Sequence, residues 1–142
     1  MKKAFIVKQA RERAFTLNPN VEITDELKKN LQVGVLPVLA YKSGEDVVYM
    51  HVFLKYKSEK TEILSFGISL AVDVDGWSKQ VDEVEDVSKT EMASRLLGYS
   101  LGYLSAALSS HISFTPLAGM YLPIANVEEI IPSMKIEKLS EP

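Results

Sequence analysis

Ser88-Lys89-Thr90-Glu91-Met92-Ala93-Ser94-Arg95-Leu96-Leu97-Gly98-Tyr99-Ser100-Leu101-Gly102-Tyr103-Leu104-Ser105-Ala106-Ala107-Leu108-Ser109-Ser110-His111-Ile112 is the stretch on which the reading of the fold turns. Met92, Leu96, Leu97, Leu101, Leu104, Leu108 and Ile112 recur at helical spacing. Ser88, with Glu91 three residues on, forms a capping box. The spacing therefore predicts one long helix. Gly98, Gly102 and Ala106 lie on its other side at i, i+4 and i+8, with Tyr99 and Tyr103 beside them. After Arg95 the helix is apolar or small nearly all round, and such a helix must be covered on several sides. Each glycine costs about 1 kcal/mol against alanine in a helix interior, and close approach of a second backbone offsets that. Leu97, Gly98, Leu101, Gly102, Leu104, Ala106 and Leu108 are accordingly the expected oligomer interface. Packing of the glycines under the parent sheet is the alternative.

Upstream, Phe5 to Leu17 mixes apolar and charged residues at period two, the pattern of a half-buried or edge strand, and Asn18-Pro19-Asn20 closes it. Residues 24–30 make one helical turn or a loop. Leu31 to Tyr41 reads as a second strand, in which Pro37 marks an edge or a bulge. Val47 to Lys57 and Thr61 to Val74 read as a third and fourth, rich in β-branched and aromatic residues. Short turns at Ser43-Gly44-Glu45-Asp46 and Ser58-Glu59-Lys60 make these three an antiparallel meander. Asp75-Gly76 ends it, and Trp77 to Ser88 reads as a solvated connection. The expected fold is α+β: a four-stranded antiparallel sheet, a long helix and a short C-terminal helix.

Downstream, Phe114-Thr115-Pro116-Leu117-Ala118-Gly119-Met120-Tyr121-Leu122-Pro123 is an uncharged loop bounded by prolines. Loops are ordinarily polar, so an apolar one is either covered by a neighbour or is itself a binding surface. Asn126 is placed to cap the short helix, Glu128 and Glu129 fall in its first turn, and Pro132 stops it. Residues 1–132 are expected to form a single domain and 133–142 a polar tail.

With 142 residues, 46% hydrophobic and 25% charged, the chain falls among ordinary globular domains. The net charge of −3 speaks against a general nucleic-acid binder. Residues 1–60 hold an excess of Lys and Arg, residues 61–142 an excess of Asp and Glu. The absence of cysteine removes disulfides, thiolate metal sites and a Cys nucleophile together. His51 reads as a structural histidine and His111 as a cation for the last helical carbonyls. Asp82, Glu83, Glu85 and Asp86 lack the spacing of a calcium loop. No phosphate loop, serine elbow or zinc helix appears, so no enzyme, metal or cofactor is expected. Ala4 to Val7 is too short for an export signal, which places the expected location in the cytoplasm. Leu96 to Val127 carries no full charge, but Ser100, Ser105, Ser109, Ser110, Ser113, His111, Pro116 and Pro123 interrupt it. A span wants about 20 predominantly apolar residues, so membrane insertion is not expected.

The order of elements resembles the SecB family of protein-export chaperones over roughly residues 4–131. Phe15-Thr16-Leu17-Asn18-Pro19-Asn20 looks like the end of that family's first strand, and Asp46 to Val74 fits its central strands. Ser109-Ser110-His111-Ile112-Ser113-Phe114-Thr115-Pro116 is similar to its helix exit, and Leu122-Pro123-Ile124-Ala125-Asn126-Val127 to the start of its second helix.

The resemblance implies a homotetramer, a dimer of dimers with the long helices at the interface, that holds unfolded or non-native polypeptide in apolar grooves without ATP. Phe114, Leu117, Met120, Tyr121 and Leu122 are the expected client contacts. Members of the family pass cargo to the SecA motor through an acidic sheet surface. Here Glu12 keeps an acid, whereas Thr16 and Phe66 stand where acids are expected. Polypeptide holding is thus better supported than protein export or protein transport through that motor, and another client, such as an antitoxin, fits the same features. Two rivals use the same apolar surface: a small-molecule-binding or enzymatic α+β domain, and a purely structural oligomerisation module.

Overall fold

A computed structural model describes residues 5–81, 90–118 and 127–139. The meander forms as the alternation requires: β3 (Leu31–Lys42), β4 (Val47–Ser58) and β5 (Thr61–Val74) pair antiparallel in sequence order. Gly44 and Gly76 take φ of +81° and +77° at the two Gly-containing turns, a region that L side chains rarely adopt.

The expected first strand is broken in two. β1 (Phe5–Glu12) and β2 (Thr16–Leu17) both pair antiparallel with β5, and β1 carries an irregularity between Val7 and Gln9. A short helix, α1 (Asp25–Lys29), takes Thr24 as its cap, with Thr24 Oγ1 accepting from Leu27 N at 3.1 Å.

The sheet is neither four-stranded nor purely antiparallel. It has six strands in the order β1-β5-β4-β3-β6, with β2 beside β5, and β6 (Lys135–Leu139) runs parallel to β3. That corrects the reading of residues 133–142 as a tail. Lys135-Ile136-Glu137-Lys138-Leu139 is too short and too polar to announce a strand, and it forms because Val38 to Lys42 offer an edge to pair with. Pro37, which lacks an N–H, stands immediately before the first paired residue, Val38.

Trp77 to Val81 corrects a second expectation. It is a helix, α2, and Trp77 is fully buried with its ring edge-on to Tyr41 at 5.8 Å. Asp46 fastens the start of this helix, its Oδ1 accepting from Ser78 N at 2.9 Å. The Ser78 backbone and hydroxyl donors hold the Asp46 carboxyl below its usual 3.8. This stabilisation is complete above the usual value and is lost as pH falls through the lowered one.

The long helix α3 (Glu91–Ile112) is as expected, but its cap is Thr90, whose Oγ1 accepts from Ala93 N at 3.2 Å. Ser88 and the acidic run 82–86 lie outside the described residues. α3 lays Met92, Ala93, Leu96, Leu97, Leu101, Leu104, Leu108 and Ile112 on one face of the sheet, against Leu39, Met50, Val52, Leu54, Leu64, Phe66, Ile68 and Leu70. α4 (Val127–Ile130) follows, with Glu128 and Glu129 in its first turn, and a 3₁₀ turn over Ile131–Ser133 takes in Pro132. Among the described residues no helix is long and apolar enough to cross a membrane, and no group of three or more His, Asp or Glu could hold a metal ion.

Candidate functional site

Burial divides the expected interface residues of α3 into two sets. Leu97, Leu101, Leu104 and Leu108 are buried within the subunit, so their apolar area is spent on the chain's own sheet. Gly102 and Ala106 are exposed and Gly98 is half-buried. Among the described residues, a Cβ added at Gly102 would meet nothing within 4 Å, and one at Gly98 would touch Val127 Cγ2 alone, at 3.5 Å. With Tyr99 (55% exposed), Ser105, Ser109 and Ser110, these residues make an outer helix face that carries no charge beyond Arg95.

The chain leaves α3 through a tight succession of turns. Thr115 N and Oγ1 both donate to Ile112 O, at 3.0 and 2.8 Å, and Leu117 N donates to Thr115 Oγ1 at 3.1 Å. These bonds point neighbouring side chains in opposite directions. Phe114 is 96% exposed, whereas Leu117 is fully buried in the core. Of the expected client contacts, Phe114 is therefore on the surface and Leu117 inside. Met120, Tyr121 and Leu122, like Asn126, lie outside the described residues.

Glu12 is on the helix side of the sheet, its Oε2 3.3 Å from His111 Nε2. His111 stacks on Phe15 at 4.8 Å and tilts against Phe66 at 5.0 Å. This aromatic clamp, not the helix carbonyls, is what the structure gives His111. Phe66, where the resemblance leads one to expect an acid, is buried in the core, and Thr16 sits in the two-residue β2.

The sheet face away from α3 holds features that the sequence reading missed. Leu36 and Phe53, a cross-strand pair, are 37% and 40% exposed. They line an open groove of about 480 Å³ with Val33, Val35, Lys55 and Lys57. A signal for it was present: Phe53 shares parity with Lys55 and Lys57, and two lysines two residues apart fix which side of a strand faces water.

His51 is on the same face. Its Nδ1 lies 2.7 Å from Ser69 Oγ, to which Arg13 Nε also donates at 2.8 Å. Burial, and then the Arg13 charge, push its pKa below 6.5, while Glu137 acts the other way. The structural reading of His51 thus acquires named partners.

No family profile matches the chain, and no curated protein is similar to it in sequence. The fold is nevertheless shared with a solved SecB-like chaperone, Rv1957 of Mycobacterium tuberculosis, in complex with a ChAD peptide from the Rv1956 HigA1 antitoxin. The match has a TM-score of 0.54 at 10% identity and covers 86% of this chain and 88% of that one. A protein of unknown function from Streptococcus agalactiae is also similar, with a TM-score of 0.48 at 14% identity, covering 87% of this chain and 100% of that one.

Proposed function

We propose that this chain is an ATP-independent, SecB-like holding chaperone that assembles through the outer face of α3 and binds non-native polypeptide on exposed apolar surface. The observation that carries the reading is the charge-free outer face of α3 running into the 96% exposed Phe114. A helix exposing that much uncharged surface fits a partner better than water. The likeness in fold to a SecB-like chaperone holding a peptide supports the same reading.

Unfolded clients share no sequence, so they must be recognised by apolar burial and backbone hydrogen bonds, neither of which needs a catalytic group. A dimer-of-dimers tetramer, with Gly98, Gly102 and Ala106 admitting a second helix backbone, is the assembly that best uses the small side of α3. Leu97, Leu101, Leu104 and Leu108 support that helix from beneath. Glu12, turned toward His111, is a poor contact for an export motor. A cytoplasmic client such as an antitoxin is the better fit than delivery for export.

The direct test is solution mass together with suppression of aggregation of a chemically unfolded test protein. An oligomer that suppresses aggregation without nucleotide is expected; a monomer without that effect overturns the reading. An oligomer that fails to suppress aggregation leaves the structural module as the function. Gly102→Leu separates assembly from folding. Among the described residues the new side chain enters open space, and the helix gains about 0.8 kcal/mol in propensity. The expected result is a smaller species that remains folded, its melting temperature lowered by no more than the lost association contributed. An unchanged mass would remove the glycine stripe from the interface.

A further inference from the structure

The outer sheet face carries a side-chain cluster that the assembly and client surfaces leave unused. Arg11, Arg13, His51 and Ser69 line a recess of about 170 Å³ together with Gln9 and Tyr49. Strand register sets Arg11, Ser69 and His51 in one row across β1, β5 and β4.

The hydrogen bonds orient this row. Ser69 Oγ accepts from Arg13 Nε and lies 2.7 Å from His51 Nδ1; in the tautomer where the hydroxyl donates to Nδ1, the neutral ring carries its own proton on Nε2. Ser69 is 8% exposed and works here as a positioning residue, not as a nucleophile.

Neither guanidinium is in an ion pair among the described residues. Two acids share this face outside the row: Glu137, on β6 beyond β3, whose charge reaches His51, and Asp73, near the end of β5. Arg13 Nε already has Ser69 as its acceptor, and the terminal nitrogens of the two guanidiniums present a fork that a planar carboxylate matches.

Next to the recess the surface turns apolar. A Cβ on Gly67 would stand 3.1 Å from Phe53 Cδ1 and 3.4 Å from Arg13 Cβ, so these two side chains flank the glycine. Phe53 in turn abuts Leu36 across the strands. A free inorganic anion has no use for that step, whereas a peptide bearing both an acid and an apolar side chain does.

We propose that the recess binds a carboxylate side chain of an extended peptide, held by Arg11, Arg13 and His51 Nε2, while a nearby apolar side chain of the same peptide rests on Phe53 and Leu36. The inference rests on the holding-chaperone reading only in taking polypeptide as the occupant.

The test is titration calorimetry at low salt with the capped peptide acetyl-Ser-Phe-Ser-Glu-Ser-Phe-amide and its Gln counterpart. Wild type should bind the Glu peptide about tenfold more tightly, the scale of one charge-assisted hydrogen-bond set. Arg11→Gln and Arg13→Gln should each abolish that preference, and Lys28→Gln, on α1, should keep it. Among the described residues the Arg11 side chain is in none of the hydrogen bonds or ion pairs that hold Ser69, so its variant tests the site without disturbing the Ser69 network. Equal affinity for the two peptides, no binding of either, or inorganic phosphate binding more tightly than the Glu peptide would each overturn the proposal. Aggregation suppression, measured on the same preparations, separates the two readings. Suppression without an acid preference sinks this inference alone, and an acid preference without suppression sinks the holding role alone.

Discussion

Leu104→Ala should destabilise the folded subunit by about 3 kcal/mol and leave the mass of the assembly unchanged. Leu104 is fully buried beneath α3, inside the cluster that joins the helix to β4 and β5. Truncating it removes transfer energy and leaves a cavity that a helix pinned by seven other core residues does not close. Because the loss falls within one subunit, the difference between wild type and variant in chemical denaturation should be the same at every protein concentration. A difference that grows on dilution would move Leu104 to a subunit boundary and reverse the assignment of α3's two faces. Compared with Gly102→Leu, which is expected to change mass while the subunit stays folded, the pair tells the core face of the helix from the assembly face.

Leu117→Ser should be nearly as damaging, at about 4 kcal/mol, since it combines a core cavity with a hydroxyl that the cavity does not satisfy. Phe114→Ser, three residues earlier, should cost within about 0.5 kcal/mol, as surface changes do, because 96% of the side chain already meets water. Its effect should appear instead as weaker capture of unfolded protein. The two measurements to set side by side are the denaturation midpoint and the concentration needed to halve aggregation. If Phe114→Ser holds clients as well as wild type does, the helix exit is not part of the client surface. If Leu117→Ser melts like wild type, the turn geometry around Thr115 is not as described above.

The meander was legible because β4 and β5 alternate with few exceptions and their turns are short and polar, so local pattern and tertiary pairing agree. Asn18-Pro19-Asn20 likewise marked the end of the N-terminal strand region. The break at residues 13–15 was not legible: Arg13 leaves the ladder to donate its backbone N–H to Gly67 O and its Nε to Ser69, both contacts distant in sequence. Trp77 was misread because an aromatic beside a run of acids looks like a loop. Its burial depends on Tyr41, and the helix start that carries it depends on Asp46, more than thirty residues away in each case. The candidate site was legible only in part. Composition picked out an over-apolar helix and an uncharged exit, but the recess at Arg11, Arg13, His51 and Ser69 draws on three elements whose lateral order no periodicity encodes.

The sequence by itself determined the strand-rich first half, the long helix with its small and leucine sides, and the poverty of catalytic groups, because hydrophobic period and residue chemistry are local properties of the chain. Only the tertiary structure decided that the leucines serve the subunit's own core, that Leu117 turns in while Phe114 turns out, and that Lys135 to Leu139 becomes a strand. Each of those outcomes rests on a surface or an edge supplied by a distant segment, and the free energy of burying a side chain or pairing a backbone exists only once that partner is in place.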